Sequence, residues 1–182
     1  MHFQSTSLSD ATLIELQPFG DQRGMFARTY CRDKFMAAGL PTEWVQQNMS
    51  TSANRGTIRG MHFQRAPHRE GKLIRCVRGT ILDVIIDLRA DSPSYLQHEG
   101  FELSDGNKHQ LFVPPGFAHG FQTLTDDVEV TYLVTERYTP LAEGGVRYND
   151  PQFAIDWPLP VSTISDKDAA WPLFDSLHPL AL

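Results

Sequence analysis

The chain has 182 residues, 41% of them hydrophobic, 21% charged and 10% aromatic, with a formal net charge of −6. That size and balance fit a single soluble domain, residues 1–182, long enough to bury roughly 70% of its unfolded surface without cross-links. Cys31 and Cys76 are too few and too far apart for a secreted disulfide framework or a CxxC centre. No apolar run approaches the ~18 residues of a membrane span and no basic head with an apolar core opens the chain, so a cytoplasmic protein without membrane contact is expected.

In chain order, residues 31–38 before Gly39 form a short helix, with Phe35 and Met36 inward and the glycine ending it in the left-handed conformation. Strands follow at residues 57–63, at Lys72-Leu-Ile-Arg-Cys-Val-Arg78 and at Thr80-Ile-Leu-Asp-Val-Ile-Ile-Asp-Leu88. The latter two, hinged at Gly79, read as adjacent antiparallel neighbours. Gln110-Leu-Phe-Val113 and the alternating Val128–Val134 complete the clear strands, with turn chemistry at Asp91-Ser-Pro93, Ser104-Asp-Gly-Asn107, Pro114-Pro-Gly116 and Thr125-Asp-Asp127. Many short strands and little helix predict an all-β jelly-roll barrel or sandwich. Residues 159–182 read as an irregular tail lying on the barrel and able to deliver side chains to a site.

The charges are unevenly placed. Residues 23–89 hold 12 of the 16 Lys and Arg but 5 of the 22 acids, a local +7 against −13 elsewhere. A nucleic-acid binder carries its basic excess over a whole domain, so no such partner is expected. A small anion gripped by a few arginines is the scale this pattern allows.

Two segments concentrate polar chemistry. In Arg59-Gly-Met-His-Phe-Gln64 an extended backbone turns Met61 and Phe63 to one side and Gly60, His62 and Gln64 to the other. A lone histidine there also suits a purely structural role. The second segment, Pro114-Pro-Gly-Phe-Ala-His-Gly-Phe121, has the PxGxxH spacing of the second cupin motif. A metal-binding cupin adds an HxH pair and a glutamate; here the pair reads His62-Phe63-Gln64, and Glu70 is the only acid close downstream. An amide is a poor ligand for a borderline metal, so a barrel without a metal or other cofactor is expected. Its interior suits proton abstraction beside a ketone, which needs a base, a cation for the enolate oxygen and an acid on the other face. His62, Lys72 and Tyr132 are chemically capable of those three tasks.

The ordered runs Phe19-Gly-Asp-Gln-Arg-Gly24, Gln47-Asn-Met-Ser50, Arg59–Gln64, Gly71-Lys-Leu-Ile-Arg75, Gly79–Val84, Asp87-Leu-Arg89, Pro115–Phe121, Asn149-Asp-Pro151 and Ile155-Asp-Trp-Pro158 resemble dTDP-4-dehydrorhamnose 3,5-epimerases from about residue 8 to 175. The resemblance implies a cupin-type jelly-roll barrel with a few short peripheral helices. It also implies a cofactor-independent epimerase acting on a nucleotide-diphospho-4-keto-6-deoxy sugar. On the matching positions His62 is the base, Asp168 the carboxylate that orients it, Tyr132 the opposite acid and Lys72 the enolate-holding cation, with His119 close by. Arg23 and Arg59 fall on diphosphate contacts, Gln46, Gln47 and Asn48 on nucleotide contacts, Tyr138 on a base-stacking ring, and Glu143 and Lys167 on further substrate contacts. The resemblance further implies a homodimer, with the N-terminal segment and Arg23 reaching the partner's site. Arg28 stands where the family carries a glutamate toward the base, and Arg55 lies in a longer loop near the nucleotide end. Epimerisation at one carbon only, a metal-dependent cupin oxygenase or isomerase, and a non-catalytic nucleotide-sugar binder are the alternatives.

Overall fold

The computed structural model describes residues 1–175. Its first strands are β1 (His2–Ser5), β2 (Thr12–Glu15), β3 (Phe19–Asp21) and β4 (Gly24–Phe26), followed by helix α1 (Arg32–Ala37). The barrel proper comprises β5 (Gln46–Ser52), β6 (Ile58–Gln64), β7 (Lys72–Arg78), β8 (Thr80–Asp87), β9 (His98–Ser104), β10 (Gln110–Val113), β11 (Phe117–Thr123), β12 (Val128–Val134) and β13 (Glu143–Gly145). A short helix, α2 (Asp166–Ala169), lies in the C-terminal segment.

Two antiparallel sheets face each other: a six-stranded sheet in the order β1-β2-β10-β7-β12-β5 and a five-stranded sheet in the order β13-β6-β11-β8-β9. The β3–β4 hairpin stands apart from both. This is the all-β barrel that the strand spacing predicts, of the cupin type and with the few short helices that the resemblance implies.

Strand alternation divides the apolar residues into three groups. Between the sheets, Ile74, Cys76, Val128 and Val130 of one sheet pack with Ile81, Ile85, Phe117 and Phe121 of the other. Outside the five-stranded sheet, Met61, Phe63, Val84 and Ile86 are covered by Val146, Phe153, Trp157 and Phe174. Outside the six-stranded sheet, Ile14, Leu73 and Phe112 are covered by Phe35 and Leu40. Each side chain of this size stabilises the fold by about 1.5–3 kcal/mol on burial.

Gly79 does not join neighbouring strands. β7 pairs with β10 and β12, whereas β8 pairs with β9 and β11 in the other sheet. The glycine has φ +77°, and a Cβ there would meet Thr125 Oγ1 at 2.5 Å. One residue is too short for a hairpin loop, which takes at least two, so the chain turns a corner from sheet to sheet instead.

Helix α1 forms where expected, and Gly39, at φ +73°, ends it as its amide donates to the Met36 carbonyl. Phe35 is fully buried against Phe3 and Tyr30, but Met36 is 63% exposed. Successive helical residues are about 100° apart, so a six-residue helix lying on a sheet seats one of the two and turns the other to solvent.

Up to residue 175 the C-terminal segment runs along the five-stranded sheet and the loops beside it. Ser162 N donates to the Gly56 carbonyl, Gln122 and Leu159 exchange two hydrogen bonds, and Arg147 N donates to the Pro172 carbonyl. Residues 176–182 of the expected tail lie outside the described residues. No helix among the described residues is long and apolar enough to cross a membrane.

Candidate active site

The inward positions at one end of the barrel are polar where those at the other end are apolar. From the six-stranded sheet come Gln46, Asn48 and Ser50 of β5, Lys72 of β7 and Tyr132 of β12; from the five-stranded sheet come His62 and Gln64 of β6 and His119 of β11. They line two adjoining cavities. The larger, about 390 Å³, includes Gln46, Asn48, Glu70, Tyr138 and Glu143; the smaller, about 160 Å³, includes Ser50, Arg59, His119 and Asp168. His62, Lys72 and Tyr132 line both. The alternation read in residues 59–64 holds: Met61 and Phe63 pack outside while His62 and Gln64 face the interior.

His62 Nε2 lies 2.7 Å from Asp168 Oδ1, and Asp168 Oδ2 accepts from the Gly60 amide at 3.1 Å. Ser165 caps α2 by accepting from the Asp168 amide, which fixes the carboxylate at the helix start. Burial opposes ionisation of Asp168. The His62 hydrogen bond and charge, with the Gly60 amide and Ser165, outweigh burial and hold the carboxyl below its ordinary value. A carboxylate here fixes which imidazole nitrogen carries the proton and leaves the other as a base.

Tyr132 comes from the opposite sheet. Burial chiefly, then the Glu70 charge, push its phenol up against a smaller pull from Arg59, so it stays protonated and able to donate. Lys72 Nζ sits 3.2 Å from Glu70 Oε1. His119, cross-strand neighbour of His62, has Nε2 2.9 Å from the fully buried Asp83. At the mouth, Glu143 accepts from Lys167 at 2.5 Å and from the Tyr138 hydroxyl at 2.8 Å, and Gln46 accepts from the Tyr138 amide. Burial again opposes ionisation, and those two donors hold Glu143 below its ordinary value. Arg59 differs from these pairs: its guanidinium donates to Ser52 Oγ and the Thr51 carbonyl and has no carboxylate partner among the described residues.

The four cupin ligand positions do not fit a metal. His62 turns to Asp168 and Glu70 to Lys72. The Gln64 amide is spent on the Thr139 N–H and the His68 and Arg137 carbonyls. Among the described residues no three His, Cys, Asp or Glu converge as a metal site.

Some expected contacts lie elsewhere. Gln47 points to the outer face of β5, into a separate small cavity with Thr29, Arg75 and Leu133, because it alternates with Gln46 and Asn48. Arg23 sits in the β3–β4 hairpin, ion-paired with Asp21, and lines neither site cavity. Arg28 is exposed and also lines neither. Arg55 is engaged with Asp126 and the Leu124 carbonyl. Asp83 and Trp171 were not expected: the Trp171 ring stands edge-on to His62, centroids 6.2 Å apart. A lone acid inside the apolar run Ile81–Ile86 is the sequence signal for Asp83; nothing local marks Trp171.

A paired imidazole and a protonated phenol on opposite walls, with an ammonium lining the same cavities, define an acid–base site for a polar small molecule. Residues 5–176 match the family model for dTDP-4-dehydrorhamnose 3,5-epimerase. The chain is 42% identical over 173 residues to the enzyme of that name from Sinorhizobium fredii, covering 94% of this chain and 89% of the relative. A crystal structure of the Bacillus anthracis enzyme with TDP and PPi bound superposes with TM-score 0.93 at 45% identity, covering 95% of this chain and 99% of that one. One from Legionella pneumophila, in complex with dTDP-4-keto-L-rhamnose, gives TM-score 0.89 at 38% identity, covering 94% and 92%. The chain belongs to the dTDP-4-dehydrorhamnose 3,5-epimerase family.

Proposed function

We propose that the protein epimerises dTDP-4-dehydro-6-deoxy-D-glucose at C3 and C5 by removing the proton beside the ketone from one face and returning a proton from the other. The carrying observation is that His62 and Tyr132 line the same two cavities from opposite sheets. A sugar ring lying between them presents one face to each. His62 takes the proton with Asp168 holding its other nitrogen, Lys72 holds the negative oxygen of the enolate, and the Tyr132 hydroxyl protonates carbon from the far side.

The diphosphate falls to Arg59, whose planar fork suits phosphate oxygens and has only neutral partners in this chain. His119, Gln46, Asn48, Tyr138, Glu143 and Lys167 serve as the remaining substrate contacts. A homodimer would bring a second hairpin, with Arg23 and the exposed Phe19, Met25 and Phe26, to the neighbouring cavity. A cytoplasmic setting accords with two free cysteines, one of them, Cys76, pushed up to about 11 mainly by burial.

The test is to incubate the purified protein with dTDP-4-keto-6-deoxyglucose in deuterated water and follow C3 and C5 by NMR. Deuterium entry with inversion at both carbons is expected. Absence of exchange at both carbons overturns the substrate assignment.

A further inference from the structure

Glu70 has no part in the steps above, yet it lines the larger cavity beside His62, Lys72 and Tyr132. It lies in the connection between β6 and β7, the strands that carry His62 and Lys72 in opposite sheets. Its two oxygens do different things. Oε1 is 3.2 Å from Lys72 Nζ, and Oε2 accepts from Gln64 Nε2 at 3.3 Å. Gln64 is itself pinned by the Thr139 amide and by the His68 and Arg137 carbonyls. The pair is largely out of solvent, with the Lys72 and Glu70 side chains 10% and 13% exposed.

A lysine reaches a reacting oxygen on a flexible four-carbon stem, and holding the ammonium still costs rotamer entropy. A carboxylate anchored on a fixed amide restrains that stem before substrate arrives, which is the preorganisation that charge stabilisation in a site requires. We propose that Glu70 is a positioning residue for the epimerisation: bridged to Gln64, it aims the Lys72 ammonium at the enolate oxygen and sets a negative charge beside the Tyr132 hydroxyl.

The charge has a second consequence. The titratable and charged groups that line the two cavities with Tyr132 are Arg59 and His62 of β6, Lys72 of β7, His119 of β11, Asp168 of α2, Tyr138 and Glu143 at the mouth, and Glu70 itself. Burial chiefly raises the Tyr132 phenol; of these groups Glu70 is the one whose charge adds to that, and Arg59 opposes it. Removing the carboxylate therefore makes Tyr132 ionise at lower pH and moves the alkaline loss of activity in the same direction.

The inference rests on the epimerase reading, so its experiment carries one measurement that needs no turnover. Glu70→Gln and Glu70→Asp are compared with the parent protein for kcat and KM of deuterium exchange across pH. The Tyr132 phenolate is titrated by ultraviolet difference against each protein's Tyr132→Phe counterpart. Glu70→Gln is expected to lower kcat roughly tenfold with KM within about twofold and to shift both the alkaline limb and the phenolate titration to lower pH. Glu70→Asp keeps the charge and is expected to restore the titration while recovering only part of the rate. Parent-like kcat and titration in Glu70→Gln overturn the inference, as does an equal rate loss in both variants with the titration unmoved. If the parent exchanges no keto sugar the epimerase reading falls, and the titration still decides whether Glu70 acts on Tyr132.

Discussion

The His62–Asp168 pair allows one substitution to be worked through from geometry. The carboxylate offers two acceptors: Oδ1 to His62 Nε2 at 2.7 Å and Oδ2 to the Gly60 amide at 3.1 Å. Asp168→Asn keeps the shape but has one oxygen, and the Gly60 N–H, fixed in the backbone of β6, claims it. The new amide N–H then faces the imidazole, which must accept at Nε2 and carry its proton on the other nitrogen, the one needed as the base. A hydrogen bond to a charged group in a part-buried site is worth about 1.5–3 kcal/mol, which at 1.36 kcal/mol per decade is roughly a 10- to 150-fold loss in kcat. The assay is deuterium exchange at C3 and C5 under saturating substrate, with thermal melting to confirm the fold. KM is expected within about threefold of the parent, since the role proposed for Asp168 is on the base and not on the sugar. A variant with parent kcat would refute the reasoning and leave His62 without a need for its carboxylate.

Tyr132→Phe leaves the base in place, so deuterium still enters but returns from the His62 face; inverted product is expected to fall by about 10² or more, read from the configuration at C3 and C5, and undiminished inversion would remove Tyr132 as the acid. Asp87→Asn breaks a buried cluster in which one carboxylate accepts from Arg89, Ser92 and Ser94 at 2.5–3.0 Å, and a loss of roughly 3–5 kcal/mol is expected as a fall in melting temperature of about 6–20 °C. Although burial raises Asp87, Arg89 and the two serines hold it below its ordinary 3.8. Its contribution is therefore complete above that pH and is lost as pH falls through the folded value, so parent stability in urea is expected to drop more steeply than that of Asp87→Asn below about pH 4.

What the sequence shows of this fold depends on whether a strand buries an apolar face. β7, β8, β10 and β12 do, and their residues announce them. β5, with Gln46-Gln-Asn-Met-Ser-Thr-Ser52, does not: it is an edge strand whose inward side chains line a polar cavity, so no hydrophobic period marks it. Pairing is less legible than strand content: Gly79 reads as a hinge between neighbours, but a one-residue link is too short for a hairpin loop, and the chain turns a corner there with Thr125 and Val128 packed against the glycine. For the site, alternation along residues 59–64 is enough to put His62 and Gln64 inside. That Asp168 meets His62 across 106 positions follows from the tail's hydrogen bonds to β6 and β11, which no local pattern encodes, whereas the Ser165 cap follows the Ser-x-x-Asp spacing of a helix start.

The charge distribution acquires a physical meaning once these pairs are placed. A net charge of −6 argues against anionic ligands in general. Inside the cavities, however, each basic group except one has its own carboxylate: His62 has Asp168, His119 has Asp83, Lys72 has Glu70 and, at the mouth, Lys167 has Glu143. None of these pairs carries a net positive charge, so they place protons and dipoles without attracting a polyanion. Arg59 is the exception, held only by a hydroxyl and a carbonyl. A single uncompensated guanidinium lining the cavity with His62 and Tyr132 suits the one diphosphate of the proposed nucleotide sugar. A nucleic-acid backbone, with its repeated charges, needs a row of such groups.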